Sequence, residues 1–65
     1  MAFNERLKEL RNEKGLTQTE ISDILNVKQN TYCYWELGKS EPDIEMLKKL
    51  SDFFRVSLDY LTGRH

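Results

Sequence analysis

The chain has little of what usually staples a small domain: one cysteine, one histidine, one proline and three glycines in 65 residues. A lone cysteine excludes an intramolecular disulfide, and with a single histidine it cannot supply the ligand groupings of a structural zinc site. No apolar run approaches the roughly 20 residues a helix needs to cross a bilayer. Charges are scattered through Met1–Leu10, so the start reads as neither a secretory signal nor a transit sequence. A reducing, cytoplasmic setting is the expectation. There is no surplus of charge of either sign, with ten basic against eleven acidic residues and a net charge of −1. Nucleic-acid binders commonly show a basic excess, so this balance counts against that role unless the positive charge is gathered on one face. His65 stands at the chain end, and no nucleophile–base or carboxylate pair is spaced for chemistry. No enzyme, cofactor or small-molecule site is expected. At this length one domain, residues 1–65, is expected, near the lower limit for folding without staples, so good helix packing or self-association must compensate.

What is present is helical periodicity cut by sparse, well-placed breakers. The chain is organised around Thr17–Gly38. Thr17 and Glu20 have the spacing of a capping box, which satisfies two backbone N–H groups at a helix start. Ile21, Ile24 and Leu25 repeat at helical spacing. Asn26 tolerates the left-handed backbone that ends a helix. Val27 is placed to plug the corner, and a second helical period follows. It sets Tyr32 and Trp35 on one face, as core aromatics, and Asn30, Tyr34 and Leu37 on the other. Two short helices joined by a few residues make a helix-turn-helix.

Around this unit the periodicity predicts three more helices. Phe3, Leu7 and Leu10 form an amphipathic stripe over about residues 4–14, with Asn4 as a cap, Glu5 in the first turn and Gly15 as terminator. The central pair spans about 18–25 and 29–37. Pro42-Asp43 starts a fourth helix, about 43–54, with Ile44, Leu47, Leu50 and Phe54 inward and Glu45 pairing with Lys48 and Lys49 on the wet side. Arg55 occupies a helix-end position that would suit glycine. Ser57 caps a last helix, about 58–62, that offers Leu58 and Leu61 to the core. No stretch alternates with period two, so the expected class is all-α.

Taken together, RLKELRNEKGLTQTEISDIL, Val27, Thr31, Trp35-Glu36, Gly38-Lys39, Pro42 and DFFRVSLDYLTG resemble the Cro/cI-type helix-turn-helix domain of phage repressors and bacterial regulators. The resemblance covers roughly Phe3 to Gly63. It implies a compact, five-helix, lambda-repressor-like domain that binds double-stranded DNA at a palindromic operator, with the 29–37 helix in the major groove. The implied function is a sequence-specific transcriptional regulator of the repressor type. Carried over by position, Thr17 and Gln18 meet the DNA backbone, Gln18 holding a phosphate and bracing the start of the recognition helix. Lys28, Gln29, Asn30, Cys33 and Tyr34 face the groove, and Lys39 contacts the backbone. Gln and Asn can pair bidentately with adenine, each good pair discriminating by about 1–3 kcal/mol. Arg11 and Glu36 match a buried ion pair between the first and third helices.

Several positions depart from the family pattern. Lys28 replaces a small capping residue, Tyr34 a commonly basic or glutamine side chain, and Leu37 a frequent asparagine. The acidic balance and the loss of Arg and Lys from the recognition helix frame the alternative of a protein-interaction module, an antitoxin or antirepressor partner with the same fold and weak or no DNA binding. Cys33 reads most simply as a small filler at the groove. Phe53 and Tyr60 are expected to face outward and form a weak two-fold contact near the end of the domain.

Overall fold

Four helix ends close in one way, and those closures set the path of the chain. In the computed structural model, which describes Ala2–Gly63, the elements are α1 (Phe3–Glu13), α2 (Gln18–Leu25), α3 (Gln29–Leu37), α4 (Ile44–Phe54) and α5 (Leu58–Thr62). His65 lies outside the described residues, and these contain no strand. After α1, α2, α3 and α4 stand Gly15, Asn26, Gly38 and Arg55, all left-handed, with φ of 71°, 59°, 79° and 58°. In each case the next backbone N–H returns to a carbonyl five residues earlier: Leu16 to Arg11, Val27 to Ser22, Lys39 to Tyr34 and Val56 to Ser51. This bond satisfies a helix-end carbonyl and reverses the chain sharply. Leu16, Val27 and Val56 then turn inward against the core. Lys39 is the exception and stays exposed.

The starts are capped just as locally. Thr17 Oγ1 accepts from Glu20 N at 3.1 Å, and Glu20 Oε1 accepts from Thr17 N at 2.8 Å. Asp43 and Ser57 accept from Met46 N and Tyr60 N at 2.9 and 3.0 Å. Asn4 is not a cap. Helix α1 begins one residue earlier, because Glu5 reaches back to Ala2 N at 3.1 Å, and Asn4 turns instead toward the backbone oxygen of Glu36, 3.5 Å away. Likewise Asp43 caps α4 from outside it.

A single apolar cluster joins the five helices: Leu7 and Leu10, Ile21 and Leu25, Tyr32 and Trp35, Leu50 and Phe54, and Leu61. The Tyr32 and Trp35 rings meet edge to face, their centroids 5.7 Å apart. Three residues expected in the core lie exposed: Ile24, Ile44 and Leu58. On α2 the buried arc is centred among Ile21, Ser22 and Leu25, and at about 100° per residue Ile24 falls well to one side of it. Ser22 takes its place, small enough for close packing, with its hydroxyl donating to Thr19 O at 2.9 Å. Ile44 keeps the phase of its stripe but lies in the first turn of α4. With Leu58, Phe3, Pro42 and Leu47 it borders an open recess of about 470 Å³ at the end of the domain. The expected pairing of Glu45 with Lys48 and Lys49 does not form. The ion pairs among the described residues are Arg6–Glu9 and Arg11–Glu36.

Candidate nucleic-acid interface

Helix α3 has an inner and an outer face, and the inner one is fixed by a buried carboxylate. Glu36, its side chain 3% exposed, accepts from Arg11 Nε at 2.6 Å and from Arg11 Nη2 at 3.0 Å. The Tyr32 hydroxyl donates to the same carboxylate at 2.6 Å and Gln18 Nε2 at 2.9 Å. A third Arg11 bond, Nη1 to Leu16 O at 2.9 Å, ties in the turn before α2. The hub thus joins α1, the start of α2 and α3. Burial alone would push the Glu36 carboxyl upward, but the donors from Arg11, Tyr32 and Gln18 outweigh it and hold the group below the usual carboxylate range. Bonding to Glu36 raises the Arg11 guanidinium further, and burial pushes the Tyr32 phenol far above its ordinary value. Arg11 and Glu36 are therefore charged together and Tyr32 is neutral at any physiological pH.

With Glu36 turned inward, the outer face of α3 carries no anionic side chain. Gln29, Asn30 and Tyr34 stand exposed there, and Cys33 is half-buried with a free thiol. Lys28 precedes the helix and Lys39 follows it, so a neutral amide-bearing surface is bracketed by two exposed cations. Lys28, whose ammonium is a donor only and cannot cap the helix, is in neither of the ion pairs found among the described residues. Lys39 Nζ sits 5.7 Å from the centre of the Tyr34 ring, at the range where a cation is still attracted to an aromatic face. The two residues placed separately by sequence are thus neighbours. Gly38 suits that turn because its φ of 79° is strained for a residue with a side chain, although a Cβ there would make only ordinary contact with Asn4, 3.5 Å away.

Thr17 is exposed at the start of α2, and Gln18 beside it is half-buried. Two features escaped the sequence reading: the Gln18 amide is held by Glu36, and the Tyr32 hydroxyl shares that carboxylate. The four-residue spacing of Tyr32 and Glu36 on one helix face is a signal that could have found the second. Phe53 and Tyr60, expected to project outward, are half-buried. Tyr60 lies under the Arg6 guanidinium, 3.9 Å from its ring centre, and Phe53 packs on Phe54 with Lys14 Nζ at 5.1 Å. Among the described residues no group of three or more His, Cys, Asp and Glu side chains is gathered to hold a metal ion, and no helix is long and apolar enough to cross a membrane.

Comparison with known proteins places this geometry. A family model described as helix-turn-helix matches residues 7–61. The SPbeta prophage-derived uncharacterized HTH-type transcriptional regulator YonR of Bacillus subtilis (strain 168) is 44% identical over 64 residues, covering 97% of this chain and 59% of that protein. The HTH-type transcriptional activator BcrR of Enterococcus faecalis is 44% identical over 61 residues, covering 94% of this chain and 30% of its own length. Among solved structures, a transcriptional regulator from Listeria innocua superposes with a TM-score of 0.91 at 40% identity, covering 97% of this chain and 59% of that one. The chain spans less than two thirds of each of these proteins.

Proposed function

The chain belongs to the helix-turn-helix family of Cro/cI type, and from that premise we propose that it is the DNA-reading domain of a transcriptional regulator that works as a repressor, as a Vibrio cholerae relative, the cryptic phage CTXphi transcriptional repressor RstR, is named. The observation that carries this reading is the outer face of α3, an uncharged, amide-bearing surface between Lys28 and Lys39 whose helix buries its only carboxylate. Gln29 and Asn30 read adenine edges in the major groove. Tyr34 adds a hydroxyl for a phosphate or a ring for a thymine methyl. Thr17, Gln18 and Lys39 hold the backbone and set register without reading sequence, and Lys28 holds a phosphate or a guanine edge. Cys33 lines the groove as a small spacer.

The reading extends to a weak homodimer on a palindromic operator, in a cytoplasmic setting. Phe53 and Tyr60 are half-buried near the end of the domain, and exposed Leu58 shares α5 with Tyr60. A two-fold contact there would space the recognition helices by about 34 Å, one turn of DNA. Selection of bound duplexes from a random pool at low salt tests the reading directly. An enriched palindrome with half-sites about one turn apart is the expected result. Enrichment of a lone half-site would remove the dimer, and no enrichment from folded protein would remove DNA reading and move the search to protein partners. With few cations at the interface, log K should fall gently with log salt, far from the slope of about −9 that ten neutralised phosphates would give.

A further inference from the structure

The Gln18 amide does not hang free at the start of α2: its nitrogen is bonded to Glu36 Oε1 at 2.9 Å. An ionised carboxylate is an acceptor only. A Gln18 amide turned end for end would set its own oxygen against that acceptor, so the charge on Glu36 decides which end of the amide points inward. Arg11 and Tyr32 lock the carboxylate from the other sides, at 2.6 Å each, so it cannot swing to accommodate a flipped partner. Once one N–H of Nε2 is directed to Glu36, the second is left for an anion beside the unpaired backbone N–H groups of the first turn of α2. A flipped amide would instead offer its carbonyl oxygen to that anion, and the contact would turn from attractive to repulsive.

We propose that Glu36 is a positioning residue for DNA binding, orienting the Gln18 amide so that N–H rather than C=O faces a backbone phosphate. The inference rests on the reading of Gln18 as a phosphate contact given above. The buried hub then has two roles, holding three helices together and fixing the polarity of a side chain at the DNA surface. Replacing Glu36 with glutamine reverses the rule: Arg11 Nε and the Tyr32 hydroxyl draw the new amide oxygen to the Oε2 position, so its NH2 faces Gln18 and favours the flipped amide.

The test is a double-mutant cycle of affinity for the duplex recovered by selection, using the full chain. Gln18→Ala should weaken binding to all duplexes by about tenfold, the loss of one hydrogen bond to a charged group. Glu36→Gln should weaken it comparably, and the double variant should be no weaker than Gln18→Ala alone. Multiplying losses in the double variant would overturn the proposal. Phe54→Leu, a core change on α4 away from the hub, should lower stability and leave affinity at the wild-type value. An affinity loss there matching that of Glu36→Gln would show that stability alone is being read. If Glu36→Gln does not fold, the side-chain amide protons of Gln18 in the wild-type protein decide. One should exchange slowly and hold its chemical shift when DNA is added, while the other moves. Fast exchange of both, or movement of the protected proton alone, would sink the orientation role. Wild-type affinity in Gln18→Ala would instead remove the phosphate contact itself, and the proposal with it.

Discussion

The inward and outward faces of α3 lie on the same nine residues and are built to opposite ends. Inward, Tyr32 and Trp35 fill the core, and Glu36 has its oxygens engaged by Arg11, Tyr32 and Gln18. Outward, Gln29, Asn30 and Tyr34 face solvent. The difference teaches a division of labour. The inner face fixes the position and rotation of the helix, so the outer side chains can change without disturbing the fold. Lys39 shows the same division at a helix end, since its counterparts Leu16, Val27 and Val56 turn into the core and Lys39 lies over Tyr34 instead.

The largest expected effect breaks the inner face. Glu36→Ala leaves the Arg11 guanidinium buried without its carboxylate and orphans the Tyr32 hydroxyl, and should cost about 3–5 kcal/mol in denaturant unfolding. For a domain whose whole stability is on the order of 5–15 kcal/mol, that is a large fraction. Replacing both partners with apolar residues, Arg11→Met with Glu36→Leu, should recover part of the loss, because no unpaired charge remains buried while the Tyr32 hydroxyl still lacks its acceptor. A double variant as unstable as Glu36→Ala would mean that the hub, rather than its packing, holds the helices. The same carboxylate sets an acid limit. Its pKa is lowered on folding from an ordinary value near 4.5, so its contribution is complete above that value and is lost as pH falls through the lower folded one. Glu36→Gln should flatten that acid limb of the stability curve, and an unchanged limb would assign acid unfolding to other carboxylates.

The next effect breaks the outer face alone. Gln29→Ala and Asn30→Ala should leave unfolding within about 0.5 kcal/mol of wild type, as expected for exposed positions without structural partners. Each should lose about 1–3 kcal/mol of discrimination at one base pair. Profiling both variants against single-base operator mutants checks this. A uniform loss over all sequences would class the residue with Gln18 as a phosphate contact.

The two faces were not equally legible in the sequence. The capping box of Thr17 and Glu20, the left-handed Asn26 and the burial of Tyr32 and Trp35 follow from local chemistry and helical period. The amide of Gln18 does not, because its partner lies on another helix and local patterns say nothing of where a flexible polar side chain turns. Asn4 fails for the same reason: a good cap by type, it turns toward Glu36 O while Glu5 secures the helix start. Ile24, Ile44 and Leu58 mark a different limit. Periodicity gives the phase of an apolar stripe, but neither the width of the arc a neighbour covers nor how far along the helix the cover extends.

The smallest effects sharpen the comparison at the corners that orient α3 and α5. Asn26 and Arg55 hold nearly the same left-handed backbone, φ 59° and 58°, one between α2 and α3 and the other between α4 and α5. Arg55→Gly should stabilise the domain by up to about 1 kcal/mol, since glycine adopts this conformation at no steric cost. Asn26→Gly should gain less, because asparagine already tolerates the left-handed region. If the α2–α3 corner only sets the angle of the reading helix, both variants should bind DNA as wild type, and calorimetric unfolding with binding isotherms would show it. A gain in stability at Asn26 accompanied by lost affinity would mean something different. The asparagine side chain would then belong to the reading surface, and the boundary between the face that holds α3 and the face that reads would have to move one residue past the turn.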